Sequence, residues 1–252
     1  MTAMKPRYRF KLGLLLLLLI GSTLNAVAIK SPYAAVEVIA PLGKKPNAKA
    51  MLQLAKAGHL PSSSVYQWNN HLVLYGLLKH VALLQRELAE SYPSCSVKTY
   101  QNPYYVFDRK QRCGGQGLVK NWDNILLTAN LVKDHEMQRQ YLQYHATQFD
   151  KWPQVANGFC NADFQQLLAF KAGRQLMLII SIPHGASLDK LNPKTSENNP
   201  RVDEWNKLRS KYQEGIPGTK KGEVWVFLKE VGKVGKVGKS ESRHSVARRR
   251  LA

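Results

Sequence analysis

Tyr141 and His145 are a pair of residues whose types and spacing suit proton transfer. Residues four apart on a helix share a face, so both side chains can reach one small ligand. An imidazole accepts and donates a proton near neutral pH, and a phenol orients a hydroxyl group or shares the proton. Trp152 and Trp205 follow along the chain, and an indole packs well on the apolar face of a sugar. The alternative interpretation is that Tyr141 and His145 are core or rim residues of an amphipathic helix.

The elements that must position this pair are predicted from the pattern of the C-terminal part. Asp134 is a predicted N-cap, and residues 171–174 form a Gly-containing turn that joins two strands as a hairpin. The order β-α-β-β-α-β is the ferredoxin-like unit of an α+β fold. One face of its sheet must be covered by a twin subunit or by the N-terminal helix and strands. The predicted strands are 125–132, 164–170, 175–182 and 223–229, and the predicted helices are 134–149 and 201–212.

The N-terminal part predicts a smaller α/β segment that precedes this domain. Residues 29–68 are predicted to be an extended or irregular lead-in, with room for a short strand at 35–40 and a short helix at 48–57. Residues 69–108 are predicted to hold a strong helix, from the asparagines at its start to Leu88, followed by strands at 97–100 and 104–107. The Gly-rich stretch 109–121 is a predicted linker before the domain at 122–230.

Residues from about 125 to 229 resemble the L-rhamnose mutarotase family, a branch of the dimeric α+β barrel fold. The resemblance rests on five segments: Tyr141-Leu142-Gln143-Tyr144-His145, Trp152-Pro153-Gln154-Val155, the hairpin Phe164–Ile182, Glu204-Trp205-Asn206-Lys207-Leu208 and the closing strand Val224–Leu228. It implies that His145 is the acid/base toward a pyranose, with Tyr141 as its companion. Five further residues are implied to bind the sugar: Trp152, Trp205, Tyr144, Phe164 and Asn206. It also implies a monosaccharide substrate, no cofactor or metal, and a homodimer or an intrachain pseudo-dimer.

Departures from the family pattern keep two other functions open. The spacer 146–151 between His145 and the Trp-Pro pair is longer than in the family. Gln154 stands in place of a glutamate, Phe164 near a tyrosine position, and Asn206 in place of a second tryptophan. The first alternative is therefore a non-catalytic exported binding or interaction protein on the same barrel. The second is an oxygenase or haem-handling barrel with His145 or His135 as the ligand.

The net charge of +20 is concentrated at the two ends of the chain. Residues 1–28 carry +4 and residues 229–252 carry +6, which leaves +10 spread over the middle. No helix-turn-helix, zinc-finger spacing or aromatic RNA-binding motif accompanies this charge, so a specific nucleic-acid partner is not predicted.

The two termini predict export and a basic tail. Residues 1–28 have a basic start, an apolar run and a small-residue end, the pattern of a secretory signal peptide. They predict a periplasmic or secreted protein, and the alternative is a membrane anchor formed by an uncleaved signal. Residues 231–252 repeat Val-Gly-Lys and end on an arginine run, which predicts a disordered tail that can touch an anionic membrane surface.

Export would allow two of the three cysteines to pair. Cys95 and Cys113, which lie 18 positions apart, are the candidate disulfide, and Cys160 is the unpaired residue in this prediction. The alternative is that all three remain thiols. Their spacing does not match a metal site.

Overall fold

The computed structural model describes residues 31–231, which fold into one ten-stranded antiparallel sheet with helices packed against it. The predicted signal peptide at 1–28 and the tail from residue 232 onward lie outside the described residues. Within residues 31–231, no helix is long and apolar enough to cross a membrane. The mixture of helices with a wholly antiparallel sheet confirms the α+β class.

The first unit of the chain contains two strand-helix-strand segments in succession. Its strand order in the sheet is β4-β1-β3-β2, with antiparallel neighbours throughout. The elements are β1 (Ala34–Ile39), α1 (Ala48–Ala57), β2 (Val65–Trp68), β3 (His71–Gly76), α2 (Val81–Ser91) and β4 (Ser96–Tyr100).

The second unit repeats this arrangement after a connecting segment, residues 101–121, that contains β5 (Tyr105–Asp108) and α3 (Arg109–Arg112). Its strand order is β10-β6-β8-β7. When the four strands of each unit are numbered along the chain, both units have the order 4-1-3-2. Its elements are β6 (Trp122–Leu131), α4 (His135–Ala146), α5 (Gln148–Lys151), α6 (Pro153–Asn161), β7 (Gln166–Ala172), β8 (Gln175–Pro183), α7 (Leu188–Leu191), α8 (Pro200–Ser210), β9 (Gln213–Glu214) and β10 (Val226–Glu230).

The two units join edge to edge, where β10 pairs with β2, and the combined sheet curls into a half-barrel. Strand β5 extends the other end of the sheet by pairing with β7, and β4 also approaches β7. Side chains from both units pack together on the inner face, among them Tyr75 and Tyr100 from the first and Phe170 and Met177 from the second. The outer face of each unit packs against its own helices.

A buried polar cluster also links the two units. The Glu37 carboxylate is fully buried and accepts hydrogen bonds from Tyr100 Oη at 2.7 Å and from Gln175 Nε2 at 3.0 Å. Its other oxygen lies 2.8 Å from His71 Nδ1. Gln175 belongs to the second unit, so the cluster satisfies the polar groups of both units at their shared core.

Several predicted elements are present close to their expected positions. Asp134 caps α4, accepting a hydrogen bond from the Met137 amide at 2.8 Å. The hairpin β7–β8 turns at Gly173, whose φ of +61° suits a tight two-residue turn. The short strand and helix expected within residues 29–68 are β1 and α1, and β2 follows them, so the described part of that stretch is regular rather than irregular.

The predicted long helix ending near Leu88 is wrong in its first half. Residues 71–76 form β3, and the helix α2 begins only at Val81. Leu72 and Leu74 face the helices, whereas Val73 and Tyr75 face the inner core. A strand buried on both faces is a continuous apolar run, which periodicity alone does not separate from a buried helix.

The predicted Cys95–Cys113 disulfide is also wrong. Cys113 pairs with Cys160, 47 positions away, and Cys95 is a free thiol. Cys95 lies beside β4 in the first unit, whereas Cys113 follows α3, which packs on α6 and thus near Cys160. Sequence proximity favoured the shorter loop, but tertiary packing brings the distant pair together.

Candidate active site

A small cavity lies inside the second unit, between helices α4, α6 and α8 and the strands β7 and β8. Its volume is about 60 Å³, less than the cavity of about 150 Å³ that holds a benzene molecule in a well-studied protein core. Its rim includes three partly exposed lining residues, which are Asn206 and Arg209 of α8 and Tyr104 of the connecting segment. A pyranose therefore enters only if side chains at this rim move aside.

His145 lies in the last turn of α4 and lines this cavity. Its Nδ1 is 2.9 Å from the backbone oxygen of Tyr141, one turn earlier. A carbonyl oxygen only accepts hydrogen bonds, so Nδ1 carries the proton and Nε2 carries a lone pair. The helix therefore fixes the tautomer in which Nε2 is available as a base.

Aromatic rings surround the imidazole of His145. The ring centroids of Tyr141 and Trp205 lie 4.4 and 5.2 Å from it. Tyr104 and Tyr105 approach it edge-on at 5.4 and 5.5 Å. This packing holds the imidazole in one orientation and leaves only 6% of the residue exposed to water.

The same surroundings keep His145 neutral. Burial lowers the pKa of His145, and the nearby Arg209 guanidinium lowers it further, to about 3. The hydrogen bond to the Tyr141 carbonyl acts in the opposite direction but is the smallest of the three influences. At neutral pH the residue is therefore an uncharged imidazole that accepts a proton before it donates one.

Tyr141 is held by a chain of side-chain hydrogen bonds. Trp225 Nε1 donates to Gln213 Oε1 at 3.1 Å, and Gln213 Nε2 donates to Tyr141 Oη at 3.0 Å. Tyr104 Oη lies 3.3 Å from the same phenol oxygen. Burial, followed by the neighbouring Tyr141, raises the pKa of Tyr104 well above its usual value. One of the two hydroxyls donates to the other in this pair, and the second hydroxyl has its hydrogen left for a ligand oxygen.

Sequence reasoning missed most of the other residues of this cavity, including Tyr104, Tyr105, Gln148 and Arg209. Tyr104 and Tyr105 come from the connecting segment, and Gln148 comes from the long spacer after His145. The adjacent tyrosines were interpreted only as strand formers, and their spacing gives no sign that they lie beside His145. Gln148 is fully buried and accepts a hydrogen bond from Tyr105 Oη at 3.0 Å.

The structure brings five of the seven predicted site residues to the cavity: His145, Tyr141, Trp205, Phe164 and Asn206. It does not bring Trp152 or Tyr144 into the lining. Trp152 packs beside Trp205 at 5.5 Å and beneath the Arg201 guanidinium, and Tyr144 packs toward Tyr212 at 5.9 Å. These two rings support the walls of the cavity from behind.

The connecting segment is anchored next to the cavity by two kinds of contact. The Cys113–Cys160 disulfide joins it to α6. Arg109, which is buried, donates to the backbone oxygens of Gln116 at 2.7 Å and Cys160 at 3.0 Å. Tyr104 and Tyr105 therefore stand on a segment that is fastened to the same helix that lines the cavity.

A larger cleft of about 710 Å³ lies at the seam between the two units. It is open to solvent and is lined by polar groups that include His71, Lys98 and Arg174. None of the predicted site residues borders it. The smaller cavity is therefore the better candidate for chemistry, because it gathers the imidazole, the phenols and the indole. Within residues 31–231, no group of three or more His, Cys, Asp or Glu side chains is arranged to hold a metal ion.

Comparison with known proteins matches the part of the chain that contains most of this cavity. Residues 125–233 match the family model for L-rhamnose mutarotase. An L-fucose mutarotase from Xanthomonas campestris pv. campestris is 26% identical over 106 residues, which cover 42% of this chain and 80% of that protein. The matched region coincides with the second unit and contains His145, Tyr141 and Trp205, whereas Tyr104 and Tyr105 lie outside it. The second unit of this chain is therefore similar to the L-rhamnose mutarotase family, as a divergent relative of it.

Proposed function

We propose that the protein is a monosaccharide mutarotase, an isomerase that exchanges the α and β anomers of a pyranose. The observation that carries this proposal is the neutral His145, which lines a cavity shared with Tyr141 and Trp205 and whose Nδ1 is engaged by the Tyr141 carbonyl, so that Nε2 keeps its lone pair. The family match of residues 125–233 supports the same activity. Anomer exchange needs only proton transfer at the sugar, so these residues suffice in kind.

The reaction can proceed through a single proton shuttle at His145. Nε2 accepts the proton of the anomeric hydroxyl while the bond between the anomeric carbon and the ring oxygen breaks. The resulting imidazolium returns that proton to the ring oxygen, which gives the open-chain aldehyde. Rotation about the bond next to the aldehyde and the reverse steps close the ring with the other anomeric configuration.

The remaining groups of the cavity assist this shuttle. The anomeric oxygen and the ring oxygen are bonded to the same carbon, so a single nitrogen can serve both. One hydroxyl of the hydrogen-bonded pair Tyr141 and Tyr104 can donate a hydrogen bond to the oxygen that gains charge as the ring opens. The Trp205 indole offers a flat surface to the apolar face of the ring.

Anomer exchange measured by saturation-transfer NMR tests the proposal. Purified protein at micromolar concentration should accelerate exchange of L-rhamnose, L-fucose or a related aldose over buffer. His145→Gln should lower the accelerated rate by about 10²–10⁴-fold, the usual contribution of a general acid–base. His135→Gln is the matched control, because His135 is exposed at the other end of α4. No acceleration for any aldose would overturn the proposal.

A non-catalytic binding protein is the second candidate, and the small size of the cavity favours it. At about 60 Å³ the cavity is closed around His145 in this conformation. A protein of this kind would bind a sugar without accelerating anomer exchange, so calorimetric binding combined with a buffer-level exchange rate would identify it. No observation in the described part of the chain supports the oxygenase or haem alternative, and His135 is remote from the cavity lining.

We also infer that the two units form, within one chain, the counterpart of a dimeric α+β barrel of ferredoxin-like units. The repeated strand order and the shared inner core support this inference. The first unit would then take the place of a partner subunit. Light scattering tests it, because the inference predicts that a monomer carries full activity per chain, whereas activity confined to a dimer would contradict it.

Export to an oxidising compartment is a further part of the proposal. The Cys113–Cys160 disulfide supports it, since disulfides persist outside the cytosol. Mass spectrometry of the protein from a periplasmic or culture fraction should show a chain that begins after residue 28.

Deletion of residues 232–252 should leave folding intact and weaken binding to anionic vesicles at low salt. Unchanged vesicle binding would dispose of the membrane role of the tail.

A further inference from the structure

Two side-chain donors in the cavity have no hydrogen-bond partner. They are Gln148 Nε2 and Arg209 Nε, and each atom is buried. Gln148 as a whole is fully buried and lines the cavity, and its oxygen is already occupied by Tyr105. Buried donors are almost always satisfied in folded proteins. Two unsatisfied donors on the lining residues of one cavity therefore require acceptor oxygens there, which ordered water supplies in the free protein and a ligand can replace.

The charge of the cavity limits what that ligand can be. Among residues 31–231, Arg209 is the only Asp, Glu, Lys or Arg residue in its lining. Arg209 Nη2 donates to Asn206 Oδ1 at 2.7 Å, and among residues 31–231 no carboxylate lies within 4.0 Å of its guanidinium. The remaining polar lining groups are phenols, amides, a hydroxyl and the neutral imidazole. The site is thus cationic, with a planar donor group at its rim.

We propose that the substrate is an aldose that carries a carboxylate, a uronic acid in its pyranose form. This inference rests on the proposed mutarotase function and adds the substrate class. A guanidinium binds a carboxylate through two parallel N–H···O bonds, and Arg209 has its Nε–H available for such a pair. The Gln148 amide donates to an oxygen of the same ligand. Gln148 and Arg209 are therefore the residues that determine specificity.

An anionic substrate would also improve the proton shuttle. The Arg209 charge is one of the two causes that lower the pKa of His145. A carboxylate bound to Arg209 cancels much of that charge and moves the pKa of His145 back toward neutrality. A general acid–base works best when its pKa is near the operating pH. A neutral 6-deoxy sugar would leave the Arg209 charge uncompensated.

Three sugars with the same ring stereochemistry test the proposal: D-galacturonate, D-galactose and D-fucose. They differ only in the group on the last ring carbon, which is a carboxylate, a hydroxymethyl group or a methyl group. Anomer exchange with the full-length protein should be at least 10-fold more efficient, in kcat/KM, for galacturonate than for either neutral sugar. D-glucuronate with D-glucose, and L-rhamnose with L-fucose, extend the comparison to other stereochemistries.

Substitutions then locate the carboxylate. Arg209→Met and Gln148→Met should each lower the ratio of galacturonate to galactose efficiency, Arg209→Met by at least 10-fold. Arg209→Lys keeps the charge without the planar fork and should fall between wild type and Arg209→Met. Lys207→Met, on the exposed side of the same helix, is the matched control and should leave the ratio unchanged.

The outcomes separate this inference from the proposed function. Faster exchange of the neutral sugars than of every uronate would overturn the substrate class and leave the mutarotase function standing. Exchange of no sugar would overturn the proposed function, and galacturonate binding followed by the NMR signals of the His145 imidazole would then decide the inference alone. Binding that Arg209→Met abolishes would support it, and no binding of galacturonate at millimolar concentration would overturn it.

Discussion

The two units of the chain share a topology but fill the space between helices and sheet in different ways. In the first unit, α1 and α2 pack on the sheet through aliphatic side chains and methionine, for example Val38, Met51 and Leu88, and the core is continuous. In the second unit, the corresponding space holds Tyr141, His145 and Trp205 around a cavity. The comparison shows that the topology positions a site without creating one, because the side chains decide whether the space is filled.

The first unit nevertheless contributes to the site. It covers the inner face of the half-barrel, so that the second unit buries both faces of its sheet. The chain that leaves the first unit carries Tyr104 and Tyr105 to the cavity. The first unit thus serves as a scaffold, and the second unit carries the candidate site. The following variants test that division of roles.

The largest expected effect is a loss of stability in the first unit without a loss of chemistry. Leu88→Ala removes a fully buried side chain of α2 and should lower the free energy of unfolding by about 2–5 kcal/mol. Urea denaturation measures the loss, and anomer exchange per folded molecule should stay at the wild-type rate. Leu83→Ala on the same helix is the control, since Leu83 is 44% exposed. A rate that falls in the folded fraction would show that the first unit takes part in the chemistry.

The second prediction concerns the Cys113–Cys160 disulfide, which joins the connecting segment to the second unit. Within residues 31–231, the first unit has a free cysteine, Cys95, and no disulfide. Replacing both Cys113 and Cys160 by Ser opens a loop of 47 positions and should cost about 4 kcal/mol of stability. Cys95→Ser, in the first unit, is the control and should change stability little. Equal unfolding midpoints for the double variant and the control would contradict the assigned pairing.

The third prediction is an acid sensitivity located in the second unit. The folded protein holds the pKa of His145 near 3, against 6.5 in its ordinary state. Between these values the unfolded chain binds a proton that the folded chain does not, so stability rises with pH and is lost on acidification. The contribution of His145 should fall by about 2 kcal/mol from pH 7.5 to 5.

Chemical denaturation at several pH values measures this contribution as the difference between wild type and His145→Gln. His135→Gln should show the full pH dependence of the wild type. If the pH dependence of His145→Gln equals that of the wild type, the imidazole does not titrate in this way.

The fourth prediction compares the effect of one glycine substitution in each unit. A Cβ on Gly158 of α6 would lie 2.4 Å from the backbone oxygen of Thr195, which borders the cavity. Gly158→Ala should therefore destabilise the protein by about 1–3 kcal/mol. It should also change the KM of the folded protein, because Thr195 borders the cavity. Gly58→Ala, at the end of α1, meets nothing closer than 3.4 Å and should be neutral. Similar thermal midpoints for the two variants would contradict the close approach of α6 to the Thr195 segment.

Local sequence patterns determined much of the second unit. The cap at Asp134, the hairpin turn at Gly173 and the four-residue spacing of Tyr141 and His145 each act within a few residues, so their consequences are readable along the chain. The family resemblance from about residue 125 rests on the same local motifs. These features predicted the α+β class and the residues at the centre of the site.

Only the tertiary structure decided the rest, because the deciding contacts join residues far apart in sequence. The strand β3 was mistaken for helix, since burial on both faces depends on partners that periodicity does not reveal. Cys113 forms a disulfide with Cys160 rather than with Cys95 because α3 packs on α6. Tyr104, Gln148 and Arg209 entered the cavity by the same kind of long-range packing. The sequence by itself thus determined the candidate base His145 and its helix, whereas packing between distant segments determined the cavity walls, the charge and the unsatisfied donors that surround it.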